Sequence, residues 1–285
     1  MMKRIPSVLL AALLCCSIHA KEPIRVGSYN LRMQQLDKGE NAWELRRPRV
    51  MQSIRDNNFD VVGLQELTDF AQEQLRADLG NVYDFVFFSP YSQDGKGSKA
   101  HGIAWKKGKY ELLACHRFWP SDTPDSCCVN DIWVRKNKTS KFKRGAMCCL
   151  FRTTSGKKFI FICSHAALNK EMNGQFAHVM IDREKMYNPD GLPSFFVGDL
   201  NTTPDSPSSE LWRSHWTDAA LCMKGRPLNT FNAFKSERNM AEEGSRIEYI
   251  YFRGKVKFKN YVCNTSLYDG HCASDHYPIW ADFLL

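Results

Sequence analysis

Glycine (17) and proline (12) are sparse in these 285 residues, which excludes a collagen-like repeat and a low-complexity disordered chain. No internal repeat is visible, and no block of like charge is long enough to form an acidic or basic tail. The commoner signatures of metal and cofactor chemistry are also missing. There is no CxxC pair, no HExxH, no P-loop lysine, no Rossmann glycine fingerprint and no nucleophile elbow. Apolar runs are short as well. The run from Ile5 to Cys16 is about a dozen residues, too short to span a bilayer comfortably, and no stable membrane span is expected, with an uncleaved anchor as the alternative. Lys3 and Arg4 precede it and Ile18-His19-Ala20 follows, so residues 1–20 read as an export signal cleaved before Lys21. The mature protein is then expected in the periplasm or outside the cell.

What is present is an ordinary globular composition, with a mild basic excess of 39 Lys and Arg over 31 Asp and Glu. Such a balance suits a polyanionic substrate or an anionic surface. Of eleven cysteines, nine lie beyond residue 20, and in an exported protein these can pair. Cys263 and Cys272 bracket a short polar loop and are the expected bridge. Cys148 and Cys149 are adjacent in an apolar run, so one is expected inward and one outward.

Apolar runs and helical patterns alternate along the chain. Strands are expected at 24–31, 60–64, 83–88, 101–105, 110–118, 145–152, 159–164, 194–198, 247–252, 256–262 and 279–283. Helices are expected at 44–57, 69–79, 176–187 and 208–215. Leu45, Val50, Met51 and Ile54 form the apolar side of the first helix, and Phe70, Leu75 and Leu79 that of the second. Residues 120–143 read as a long polar insertion, of the kind that often carries function. No linker divides residues 21–285, which read as one α/β domain with sheets in the middle and helices outside.

Polar signatures follow several of the apolar runs: Ser28-Tyr29-Asn30, Gln65-Glu66, Ser164-His165 and Gly198-Asp199-Leu200-Asn201. Ser274-Asp275-His276-Tyr277-Pro278 comes near the C-terminus. Ligands and catalytic groups of α/β folds gather beyond strand ends. Three acids, two asparagines and two histidines suit a hard divalent cation bound through oxygen, with an imidazole and a carboxylate to manage a water.

These segments, with Gly63-Leu-Gln-Glu66, Gly198–Ser206 and Arg246-Ile-Glu-Tyr-Ile250, stand in the order of the endonuclease/exonuclease/phosphatase superfamily. The chain resembles that superfamily over residues 24–283, and 41–47 and 118–124 look like its secreted bacterial branch. The resemblance implies a DNase I-like four-layer α/β sandwich, two central mixed sheets flanked by helices. It also implies Mg²⁺- or Mn²⁺-dependent hydrolysis of a phosphate ester. Carried over motif by motif, Glu66 is the main metal ligand, with Asn30 and Asp275 near the same ion. Asp199 positions or deprotonates water, and Asn201 holds the phosphate. His165 and His276 donate to phosphate oxygens, and Glu248 orients His276.

Two positions depart from the superfamily pattern. Glu248 stands where relatives carry Asp, which lengthens the carboxylate by about one bond. Ala167 stands where relatives often carry Asp. The Trp-Cys-Asp-Arg signature of inositol-phosphate phosphatases is missing. Nucleic acid, DNA above all, is the leading substrate expectation, with Arg32 and Arg144 as phosphate contacts. Basic loops at 96–109 and 135–144 would follow a phosphate backbone, and Trp105, Trp119 and Trp133 would stack bases. A lipid headgroup or a small phosphate ester is the alternative substrate, and a binding protein that has lost its chemistry is the third reading. The protein is expected to act as a monomer.

Overall fold

A computed structural model describes residues 21–127, 143–168 and 170–285. The expected export signal, Trp133 and most of the basic stretch 135–144 lie outside them. Among these residues, twelve strands form two six-stranded sheets. In chain order the elements are β1 (Pro23–Asn30), α1 (Trp43–Asn57), β2 (Val61–Leu67), α2 (Asp69–Leu79), β3 (Tyr83–Phe88), β4 (Ala100–Lys106), β5 (Tyr110–Phe118) and β6 (Ala146–Thr153). They continue with β7 (Lys158–His165), α3 (Lys170–Tyr187), β8 (Ser194–Asp199), α4 (Pro207–Arg213), β9 (Thr217–Asp218), β10 (Glu248–Arg253), β11 (Lys257–Cys263) and β12 (Ile279–Leu284). The first sheet runs β11-β12-β1-β2-β4-β3 and the second β5-β6-β7-β8-β10-β9. In each the central pair is parallel, β1 with β2 and β7 with β8, and the flanking pairs are antiparallel.

Alternation along the strands builds the layers. On β6 and β7, Met147, Cys149, Phe161 and Cys163 face the sister sheet, where they meet Val26, Val61 and Ile103. Their neighbours Cys148, Ile160 and Ile162 face α3 and α4, while α1 and α2 cover the outside of the first sheet. The result is helix, sheet, sheet, helix, as the resemblance implied. Gly63 sits where the sheets close on one another. A Cβ there would lie 2.5 Å from Val197 Cγ2 and 2.9 Å from Cys163 Sγ, so only glycine fits without displacement.

Local signals set the helix starts. Thr68 caps α2 by accepting from Ala71 N at 3.1 Å, and Ser206 caps α4 ahead of Pro207. Several expectations need correction. Helix α3 begins at Lys170 rather than 176. Leu45 and Phe70 are half exposed, and the neighbours Arg46 and Ala71 are buried instead. Cys148 and Cys149 do face opposite sides, yet both are buried, because helices cover the outer face. Cys263 and Cys272 are free thiols. They pack in one small cluster, but the Cys263 thiol donates to the Asn229 carbonyl and the Cys272 thiol pairs with the Tyr277 hydroxyl.

Candidate active site

The two central parallel pairs end at the same edge of the sandwich. Asn30 lies beside Gln65 across β1 and β2, and His165 lies beside Asp199 across β7 and β8. Packing of β1 on β8 and of β2 on β7 brings the two strand ends together. Glu66, one residue on, sits at a register irregularity between β2 and β4. Its φ of 64° is left-handed, a conformation that costs a residue with a side chain roughly 1–2 kcal/mol. The turn aims the carboxylate at the strand ends. Gly198 adopts a φ of 157°, and a Cβ there would strike the Ser164 carbonyl. Asn201, also left-handed at 47°, closes the turn after β8, and its backbone N–H donates to Asp199 Oδ1 at 3.0 Å.

Asp199 is the hub. Its Oδ2 accepts from Asn30 Nδ2 at 3.0 Å, and lies 3.4 Å from His165 Nε2 and 3.9 Å from His276 Nε2. Asn30 Nδ2 also reaches Glu66 Oε1 at 3.2 Å, and Met33 N donates to Glu66 Oε2 at 3.1 Å. Asn30 Oδ1 accepts from Arg32 N at 2.9 Å. The asparagine thus bridges two carboxylates as a donor, whereas its expected place beside a cation would use its oxygen. On the other flank, His276 Nδ1 hydrogen-bonds Glu248 Oε1. The longer glutamate side chain therefore reaches the imidazole. Its second oxygen, Glu248 Oε2, is buried without a hydrogen-bond partner. Asp275 Oδ1 lies 3.8 Å from His276 Nε2 and its Oδ2 3.3 Å from Arg32 Nη1. Ala167 offers no carboxylate, and the one facing His165 is that of Asp199.

Burial, and then the Glu248 carboxylate, hold Asp199 well above the usual carboxylate range. Burial also raises Asp275, against the pull of His276 and Arg32. Burial works to neutralise His276, but Glu248, Asp275 and Asp199 overcome it and raise the imidazole to about 10. His165 goes the other way, driven far down by burial and by the Arg144 charge. One histidine is cationic and the other neutral, beside the same carboxylate.

All ten residues singled out in the sequence come together. Arg32, Glu66, Arg144, His165, Asp199, Asn201, Asp275 and His276 line a cleft of about 370 Å³. Asn30 and Glu248 lie beneath it, fully buried. Other expectations fail. Trp105 and Trp119 are buried in the core between the sheets and cannot stack bases. Lys106 and Lys109 bind Asp60 at the start of β2, the end of the sheet away from Glu66. Of the basic loop 96–109, Lys99 alone lines the cleft.

Several supporting residues escaped the sequence reading. Arg46, on α1, is fully buried and donates to the carbonyls of Leu31, Arg32, Asn41 and Ala273. It ties the turn after β1 to the segment carrying Asp275. Thr230 Oγ1 accepts from the backbone of Ile247 and Glu248, and Phe231 pairs with His276 through a backbone bridge. Arg246 forms a buried double hydrogen bond with Asp218, and Tyr249 OH donates to Thr202 O at 2.8 Å. These contacts hold the backbone on either side of Glu248 in place. The 41–47 stretch noted in the sequence contains Arg46 but gave it no role, and nothing marked Thr230, because most of their partners are backbone groups 14 or more residues away.

The donor set fits a hard divalent cation. Glu66, His165 and Asp199 each offer one ligand atom within 4.8 Å of the others, and Glu66 is the one that is partly exposed at the cleft. Asp199, Glu248 and His276 form a second such group, but there Glu248 and His276 already satisfy one another. Oxygen donors dominate, as Mg²⁺ and Mn²⁺ prefer.

Residues 27–276 match the Endonuclease/Exonuclease/phosphatase family. No curated protein matches the chain. Among solved structures, an endonuclease/exonuclease/phosphatase from Bacteroides vulgatus is 27% identical, with a TM-score of 0.81 over 92% of this chain and 99% of that one. A mannosyl-6-phosphatase from Bacteroides thetaiotaomicron is 22% identical, with a TM-score of 0.80 over 92% of this chain and all (100%) of that one. The human Nocturnin catalytic domain is 17% identical, with a TM-score of 0.70 over 92% and 95%.

Proposed function

The chain belongs to the endonuclease/exonuclease/phosphatase family, a family of phosphoric ester hydrolases, and from that premise we propose that it hydrolyses a compact phosphate ester with water as the nucleophile. The observation that carries this reading is the set Glu66, Asp199 and His276 at the floor of a cleft of about 370 Å³, held from beneath by Asn30 and Glu248. A volume of that order suits a small ligand. The mature protein, residues 21–285, would be the exported form.

Asp199 takes the proton from the attacking water. Its carboxyl is held high by burial and by Glu248, so its basicity is matched to neutral pH, where general bases work best. His276, kept cationic by Glu248, donates from Nε2 to a phosphoryl oxygen as charge builds there. Neutral His165 and the Asn201 amide are further donors, and Arg32 and Arg144 supply positive charge. Glu66 would hold the cation, assisted by Asp275, with Mg²⁺ or Mn²⁺ as the ion. When bound, the cation polarises the phosphoryl group and neutralises developing charge. Asn30 keeps Glu66 and Asp199 in place by donating to both.

A nucleic-acid substrate retains one supporting feature, the Lys99, Lys143 and Arg144 side of the cleft. It loses Trp105 and Trp119 as stacking partners, together with the remote Lys106 and Lys109, while Trp133 lies outside the described residues. A small ester is therefore the first reading; a sugar phosphate is one example, and the mannosyl-6-phosphatase shares the fold. The test is a panel of small phosphate esters, plasmid DNA, RNA and sphingomyelin, with Mg²⁺, Mn²⁺ or EDTA, and with Asp199→Ala as the contamination control. Turnover of small esters that vanishes with EDTA and in the variant is expected. Faster turnover of DNA reverses the order of substrates, and silence on every ester with either metal overturns the reading.

A further inference from the structure

The cleft has a charged floor and apolar walls. The floor carries Glu66, Asp199, Asp275 and His276. The walls come from loops of both sheets: Met33 and Leu36 from the connection after β1, Leu168 from the connection after β7, and Phe231 and Ile247 from the segment before β10. Leu168 is 75% exposed and Leu36 48%. Other large apolar side chains exposed among the described residues, such as Phe70, Met186 and Leu221, do not line this cleft. Scattered exposed leucines are ordinary. Two that border one charged catalytic floor, on loops of different sheets, are a placed feature.

The strand order gives the cleft a direction. Contacts pair β10 with β12, then β8 with β1, then β7 with β2 and β4. Phe231 and Ile247 stand at the β10–β12 end, and the Phe231 ring lies edge-on to His276 at 4.9 Å. Lys99 and Lys143, with Arg144, stand at the β4–β6 end. A phosphoryl group over the floor thus has cationic groups on one side. Phe231 and Ile247 stand on the other side, and Leu36 and Leu168 border the floor between the two ends, on the loops after β1 and β7.

We propose that the preferred substrates are phosphate esters of a compact ring alcohol with an apolar face, seated between Leu36 and Leu168 with Phe231 at the end of the slot. This rests on the phosphoesterase reading above and names the substrate class. A ring with its phosphate matches a cleft of about 370 Å³, whereas an acyl chain needs a longer apolar groove. Two exposed leucines are also far short of the patch that marks a membrane surface. A polar linear alcohol would leave both leucines in water. Covering each on binding is worth about a factor of ten in affinity.

The test measures kcat and KM of the full-length protein with Mg²⁺ on cyclohexyl phosphate and glycerol 3-phosphate, two alkyl esters of similar leaving-group strength. Phospholipid vesicles and plasmid DNA serve as further probes. Leu36→Ser and Leu168→Ser are compared with Leu221→Ser, an exposed leucine away from the cleft. The ring ester should have the lower KM by about tenfold or more. Each cleft variant should raise that KM about tenfold with kcat little changed, while the glycerol 3-phosphate KM moves less than threefold. Leu221→Ser should alter neither. Equal losses on both esters, or no loss, overturn the proposal, as does faster hydrolysis of vesicles or DNA. Hydrolysis of both esters without ring preference sinks this inference alone. No hydrolysis of any ester sinks the phosphoesterase reading as well.

Discussion

Replacing Glu248 by Gln removes one charge from the most buried ion pair at the site. Glu248 is fully buried and His276 nearly so, and their hydrogen bond holds the imidazolium in place. The imidazole is raised from 6.5 to about 10, against burial, by Glu248, Asp275 and Asp199, a net effect of roughly 5 kcal/mol. Losing one partner of a buried pair costs about 3–5 kcal/mol. We therefore expect Glu248→Gln to be less stable by about 3 kcal/mol at pH 7. The sign of the pH dependence follows from the raised value. The wild-type contribution is complete below pH 6.5 and is lost as pH rises through about 10. The gap between wild type and variant should thus narrow above that pH. Urea unfolding of both proteins at pH 7 and near pH 11 measures it, and groups that titrate in both proteins cancel in the difference. Turnover should fall about 10²-fold, within the range for a disturbed acid–base group. Glu248→Asp keeps the charge and should recover most of the stability. Equal unfolding midpoints at pH 7, or a gap that stays constant with pH, would refute the reasoning.

Other outcomes can be checked alongside. Asp199→Asn should lose about 10²- to 10⁴-fold in kcat while its circular dichroism spectrum stays native; a variant with most of its activity would displace Asp199 as the base. Glu66→Ala and Glu66→Gly should lose divalent-cation affinity equally, as read by calorimetric titration. Yet Gly should be the more stable of the two by about 1 kcal/mol because the φ of 64° suits it. Arg46→Ala leaves four carbonyls without their donor and should cost about 3 kcal/mol in thermal unfolding. Cys263 and Cys272 should both alkylate under denaturing, non-reducing conditions, and protection of either in a peptide map would restore a bridge.

Much of the fold was legible because its determinants are local. The run Phe159-Ile-Phe-Ile-Cys-Ser reads as a strand from its own residues. Other positions were not. Leu45 and Phe70 satisfy a helical period, yet the sheet beneath each helix decides which side is covered, and it takes Arg46 and Ala71. The paired cysteines at 148 and 149 alternate as strand residues must, but their common burial depends on a helix layer from elsewhere in the chain. Lys106 and Lys109 look like substrate contacts in the sequence. Strand polarity carries them to the far end of β4, where Asp60 holds both.

For the candidate site, the sequence alone determined the inventory and its order: which residues of chemical use come after which apolar runs, and hence the kind of ion and reaction they suit. That information is local, since a strand delivers its last residues to one edge of a sheet. Only the tertiary structure decided how those residues act on one another. Asn30 meets Asp199 across 169 residues and His276 meets Glu248 across 28, and these contacts exist only when two sheets stack with their central strands in line. The opposite charge states of His165 and His276, the left-handed turn at Glu66, the apolar walls of the cleft and the buried Arg46 beneath it all result from that stacking. Burial and electrostatic coupling depend on distance through space, and chain separation does not encode it.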